Sequence, residues 1–128
     1  MEFKNQQAIY LQIADFMLDN ILSGSWKNGD RVQSVREMAA TVEVNPNTVV
    51  RSYSYLQDMG IIFNKRGIGY FVAEDALTRT QKIRRDNFLR EELPSLFHAM
   101  ELLGVNIEEL PQLYTQYKSQ HLNGNSAS

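Results

Sequence analysis

Between Ala8 and Ser23 the apolar residues Ile9, Ile13, Phe16, Met17 and Ile21 recur at intervals of three and four, the spacing of an amphipathic helix. Gly24 follows the last of them, as a helix-ending glycine does. "KNGDRVQS" reads as a turn around Gly29-Asp30 with Val32 in a short extended piece. Ser34-Val35-Arg36-Glu37 has the form of a capping box, Ser at the cap and Glu three residues on, and opens a short helix. Val35, Met38, Ala39 and Val42 share one face of it. Glu43 and Val44 interrupt the pattern. Asn45 then caps a third helix and Pro46 takes its first position, where the missing N–H costs nothing. Val49, Tyr53 and Leu56 form the buried stripe of that helix, and Gly60 ends it. "IIFNKRGIGYFV" places two β-prone arms, 61–63 and 70–72, around Gly67-Ile68-Gly69, a hairpin pattern.

After Asp75 the texture changes. "RTQKIRRDNFLREE" is densely charged, with Ile83, Phe88, Leu89, Leu93, Leu96, Met100 and Leu103 near helical spacing. Pro94 either kinks this helix or re-initiates it. Gly104 closes the segment, and Asn106 caps a last helix carrying Ile107, Leu110, Leu113, Tyr114 and Tyr117. "NGNSAS" has nothing to bury. The expected organisation is a domain at 1–74, a helical tail at 75–120 and a disordered end at 121–128. The fold class is mainly α with a small β-hairpin.

Composition narrows the chemistry. With 128 residues, 43% hydrophobic and 22% charged, the chain suits one small globular domain with an appendage. No cysteine is present, which removes disulfides, thiolate metal sites and thiol catalysis. No apolar run approaches the ~18 residues of a membrane span, and "MEFKNQQ" lacks a signal-peptide layout, so the expected location is the cytoplasm, with no membrane partner. His98 and His121 have no second ligand at metal spacing, and no nucleophile–base pair or glycine-rich phosphate loop is recognisable. Neither an enzyme, a metal nor a cofactor is expected. The formal charge of −2 is neutral as to polyanion binding, because local clusters decide it; residues 1–73 hold seven basic groups against seven acidic ones.

Three helices followed by a hairpin, with a tight turn between the second and third, is the order of a winged helix-turn-helix. There the third helix enters the DNA major groove with its N-terminal residues near base edges. Asn47 and Thr48 are short and hydrogen-bonding, and Arg51 lies one turn on along the same side. With Val49, Tyr53 and Leu56 inward, that polar set faces outward. The competing use of such a module is protein–protein contact, its wing and third helix docking a partner without specific DNA binding.

The segment "IYLQIADFMLDNILSGSWKNGDRVQSVREMAATVEVNPNTVVRSYSYLQDMGIIFNKRGIGYFV" resembles the DNA-binding domain of the GntR family of bacterial transcription regulators. Tyr10, Gln12-Ile13-Ala14, Gly24, Gly29-Asp30, Ser34, Arg36-Glu37, Ala39, Val44, Asn47-Thr48-Val49, Leu56, Gly60, Gly67 and Gly69 stand at the family's intervals. The short remainder is similar to the YtrA-like subgroup, whose members end in a two-helix dimerisation tail. The resemblance implies DNA contacts at Arg36, Asn45, Asn47, Thr48 and Arg51, with Arg66 and Gly67 in the wing and charge from Lys65. The sequence departs from the family at Gln33, for a usual proline; at Glu43, for a turn glycine; at Pro46, for a base-reading arginine; and at Ile68, for a basic wing residue.

The tail has an apolar face that two helices cannot bury alone. Leu89, Leu93, Leu96, Phe97, Met100, Leu103, Leu110, Leu113 and Tyr114 are the candidate dimerisation residues; the other use of that face is to cover the winged domain's own core. A two-fold homodimer on a double-stranded, pseudo-palindromic operator, repressing by occupying a promoter, is the expected function. Any small-molecule effector is unknown.

Overall fold

The computed structural model describes residues 7–122. The polar "NGNSAS" end and most of "MEFKNQQ" lie outside the described residues, whereas His121 and Leu122 belong to a helical turn. The chain divides into two units between Arg85 and Asp86.

In the first unit, α1 (Ile9–Leu22), α2 (Val35–Val42) and α3 (Pro46–Asp58) precede a hairpin of β1 (Ile62–Lys65) and β2 (Gly69–Val72). The hairpin is antiparallel, with Ile62 opposite Val72 and Lys65 opposite Gly69 around a three-residue turn. The expected helical stripes converge: Ile13, Met17, Ile21, Met38, Val42, Val49, Tyr53, Leu56, Ile61 and Val72 are all buried in one core. This winged helix-turn-helix is the architecture its apolar spacing predicts.

Local chemistry sets the helix boundaries. Ser34 Oγ accepts from the Glu37 amide at 3.1 Å while Glu37 returns a carboxylate to the Ser34 amide at 3.1 Å, closing the capping box. The Ser34 amide first, then the Ser34 hydroxyl, and more weakly the charge of Arg31 hold the Glu37 carboxyl below its ordinary pKa. Asn45 Oδ1 accepts from the Asn47 amide at 2.8 Å, and Pro46 follows at the first helical position. Between these helices Glu43 takes the left-handed conformation at φ 58, and it is the one non-glycine with positive φ among the described residues. Its turn is closed by the Val44 amide donating to the Ala39 carbonyl, with Val44 packed on the core.

Two features go beyond the sequence pattern. The extended piece at Arg31-Val32 docks on the free edge of β2: Val32 N–H donates to Tyr70 O and Val72 N–H to Asp30 O. The wing is thereby backed by a third extended segment. Helix α4 (Ala76–Asn87) also hides a buried side beneath its charge: Ala76 and Thr80 are buried and Ile83 packs on the core. Arg84 donates to the Asp15 carbonyl at 2.9 Å and pairs with Asp19 at 2.8 Å, tying α4 to α1. The first unit therefore reaches Arg85.

In the second unit a π-helical turn, Phe88–Glu92, runs into α5 (Leu93–Leu103). Leu93 N–H reaches back five residues to the Phe88 carbonyl, immediately ahead of Pro94. Pro94 has no N–H to offer the regular ladder, and the widened turn accommodates that loss within a continuing helix. A 3₁₀ turn, Ile107–Glu109, capped by Asn106, leads into α6 (Leu110–Tyr117).

Candidate nucleic-acid interface

Helix α3 separates two chemistries. Val49, Ser52, Tyr53 and Leu56 are buried, at the i, i+3, i+4, i+7 spacing of one face. Tyr53 fixes the rotation of the helix: its hydroxyl donates to the Gln33 carbonyl at 2.6 Å, and its ring meets Tyr70 edge-on at 4.8 Å. Burial, then Tyr70 and Glu37, push its phenol above the ordinary pKa, so it remains a donor. On the other side Asn45, Asn47 and Arg51 are exposed and Thr48 is half-buried. Asn45 is not wholly free, since its side-chain oxygen serves as the helix cap; its amide nitrogen remains available.

Arg36 is exposed at the second position of α2. Lys65 ends β1, and Arg66 and Gly67 form the exposed wing turn. Gly67 has φ +80 with nothing near an added Cβ, so backbone conformation, not crowding, reserves this position for glycine. The Lys65 ammonium is drawn back over the outer face of the hairpin, 4.7 Å from the Phe71 ring centre and 5.9 Å from that of Phe63. Ion pairs among the described residues engage Arg79 and Arg84; none engages Arg36, Arg51, Lys65 or Arg66, which leaves these cations without a carboxylate. Such an arrangement can present amide, hydroxyl and guanidinium donors to a polyanion from α2, α3 and the wing.

Sequence reasoning missed three participants. The Arg51 guanidinium carbon lies over the ring of Tyr10 of α1, 4.1 Å from its centre, and the Tyr55 ring stands nearly perpendicular to that of Tyr10, centres 6.2 Å apart. Arg31 packs its guanidinium against Gly69, where an added Cβ would stand 3.4 Å from Arg31 Nε. No spacing rule links residue 10 to 51 and 55, or 31 to 69; only the docking of α1 and of the extended segment brings them together.

In the second unit Leu89, Leu96, Phe97, Leu103, Leu113 and Tyr114 are exposed, Leu93 and Leu110 are half-buried, and Met100 is buried. Leu96, Ile107, Leu110, Pro111, Leu113 and Tyr114 line an open apolar groove of about 560 Å³. No cluster of His, Asp or Glu suited to a metal ion occurs among the described residues. No helix among them is long and apolar enough to cross a membrane.

Comparison with known proteins agrees with this geometry. The sequence profile of the family described as "Bacterial regulatory proteins, gntR family" matches residues 9–72. The HTH-type transcriptional regulator YhcF of Bacillus subtilis is 38% identical over 109 residues, 85% of this chain and 88% of that protein. The HTH-type transcriptional repressor YtrA of the same organism is 36% identical over 107 residues, 84% of this chain and 82% of that protein. A crystal structure of a GntR-family transcriptional regulator from Bacteroides thetaiotaomicron superposes with a TM-score of 0.75 at 45% identity, covering 88% of this chain and 98% of that one.

Proposed function

Since the chain belongs to the GntR family of bacterial regulatory proteins, we propose that it is a cytoplasmic transcription repressor that binds a pseudo-palindromic operator as a homodimer. The observation that carries this reading is the two-sided α3, whose buried stripe is locked by Tyr53 while Asn47, Thr48 and Arg51 stay outward. In the reading, the start of α3 enters the major groove, Asn47 and Thr48 address base edges, and Arg51 adds a charged donor. Arg36 and Asn45 hold the flanking phosphates, and the turn at Arg66 and Gly67 approaches the backbone beside the groove, with Lys65 adding charge. Residues 1–74 carry these contacts. Within the tail at 75–120, the part beyond Arg85 pairs two chains through Leu89, Leu93, Leu96, Phe97, Met100, Leu103, Leu110, Leu113 and Tyr114, and the exposed apolar groove supports this. The 82% and 88% coverage of the repressor YtrA and of YhcF supports a transcription regulator of the YtrA-like kind.

Selection from a random double-stranded oligonucleotide pool tests the proposal. The expected product is a pair of inverted half-sites about one helical turn apart, or a multiple of that, bound by two chains. Affinity should fall with salt, the log–log slope steepening by ~0.9 per phosphate neutralised. Failure to enrich any sequence, with salt-insensitive capture of a protein partner, would instead make the module a protein-docking one. A single half-site bound by a monomer would overturn the dimer.

A further inference from the structure

Tyr10 meets α3 at three places. Its ring centre lies 4.1 Å from the Arg51 guanidinium carbon, its carbonyl accepts the buried Ser52 hydroxyl at 2.7 Å, and the Tyr55 ring meets it in a T-shaped pair with centres 6.2 Å apart. Residues 51, 52 and 55 lie within about one turn of one another, so a single residue of α1 is gripped by that turn of the candidate recognition helix. Ser52 is fully buried and fixes the Tyr10 backbone; Tyr55 restrains the ring; the ring then offers its π-face to a guanidinium that has no carboxylate partner among the described residues. An exposed arginine otherwise samples many rotamers, each lost on binding.

We infer that Tyr10 is a positioning residue of the DNA interface: it aims Arg51 before DNA arrives, and Tyr55 holds Tyr10 in place. The inference rests on the DNA-binding reading above. It assigns Tyr10 no contact of its own with DNA. The stack needs an aromatic face and not the hydroxyl, so Tyr10→Phe preserves it and Tyr10→Leu removes it.

Two measurements test this. In the free protein, the Arg51 Nε–H proton should resonate upfield of an unstacked arginine through the ring current of Tyr10, keep that shift in Tyr10→Phe and lose it in Tyr10→Leu. An unshifted signal in the native protein overturns the stack whether or not any variant folds. For the selected operator, Tyr10→Leu should weaken binding roughly two- to fivefold, the scale of one exposed cation–π contact, and Tyr10→Phe should not. In an Arg51→Ala background Tyr10→Leu should have no further effect, because nothing is left to aim. Equal losses in Tyr10→Phe and Tyr10→Leu would make Tyr10 a direct contact through its hydroxyl. Native binding unchanged by Tyr10→Leu would refute the positioning role alone, whereas a native protein that selects no operator would refute the DNA reading and leave the free-protein shift to decide the stack.

Discussion

The two units use the same kind of apolar periodicity and finish it differently. In the first, stripes from α1, α2 and α3 meet one another and the hairpin, and Ile13, Met17, Val49, Leu56 and Val72 lose all contact with solvent. In the second, Met100 is the one buried residue among those described, while Leu103 is 77% and Tyr114 63% exposed. A helix can satisfy its backbone by itself, but an apolar face needs an opposing surface. Periodicity alone therefore states that a face will be covered, not by what.

The largest expected effect separates the two units directly. Leu56→Ala should destabilise the protein by about 2–5 kcal/mol through lost burial and the cavity left behind, read from chemical denaturation. The same truncation at Leu103 should cost less than about 0.5 kcal/mol in dilute protein. Equal costs would erase the contrast.

Next in size is Leu113→Asp, which puts a charge on the open groove of the tail. If that face pairs two chains, the variant should lose about 2 kcal/mol or more of dimerisation free energy, seen as monomer in sedimentation velocity. The native melting temperature should rise with protein concentration and that of the variant should not. Concentration-independent melting of the native chain would leave the face with some other use.

A smaller, stabilising change is expected at the turn between α2 and α3. Glu43→Gly should raise stability by about 1 kcal/mol by relieving a side chain held at φ 58, and Glu43→Val should lower it. The smallest effect concerns acid. The folded pKa of Glu37 lies below its unfolded value, so its contribution is present above the unfolded carboxylate pKa and is lost as pH falls through the folded one. Glu37→Gln should flatten that part of the stability profile, its small loss showing near neutrality and vanishing below the folded pKa.

Much of the candidate interface was readable because it obeys local rules. Pro46 behind a capping asparagine marks where α3 begins, and the spacing of Val49, Tyr53 and Leu56 dictates that Asn47 and Arg51 point away from them. Local rules could not reveal that Arg51 rests on Tyr10, that Lys65 is drawn over Phe71, or that Arg31 packs against Gly69. Each joins elements whose approach depends on the whole core. The charged run after Asp75 misleads in the same way: its buried Ala76 and Thr80 are too small and too polar to register as a stripe.

By itself the sequence determined the helices, their caps, the hairpin and the outward polar side of α3, because hydrogen-bonding range and side-chain period are properties of neighbouring residues. The tertiary structure alone decided that Arg31-Val32 backs the wing, that α4 closes the first unit, and that Arg51 rests on Tyr10. Those outcomes depend on surfaces distant in sequence meeting in three dimensions, and no local spacing encodes that meeting.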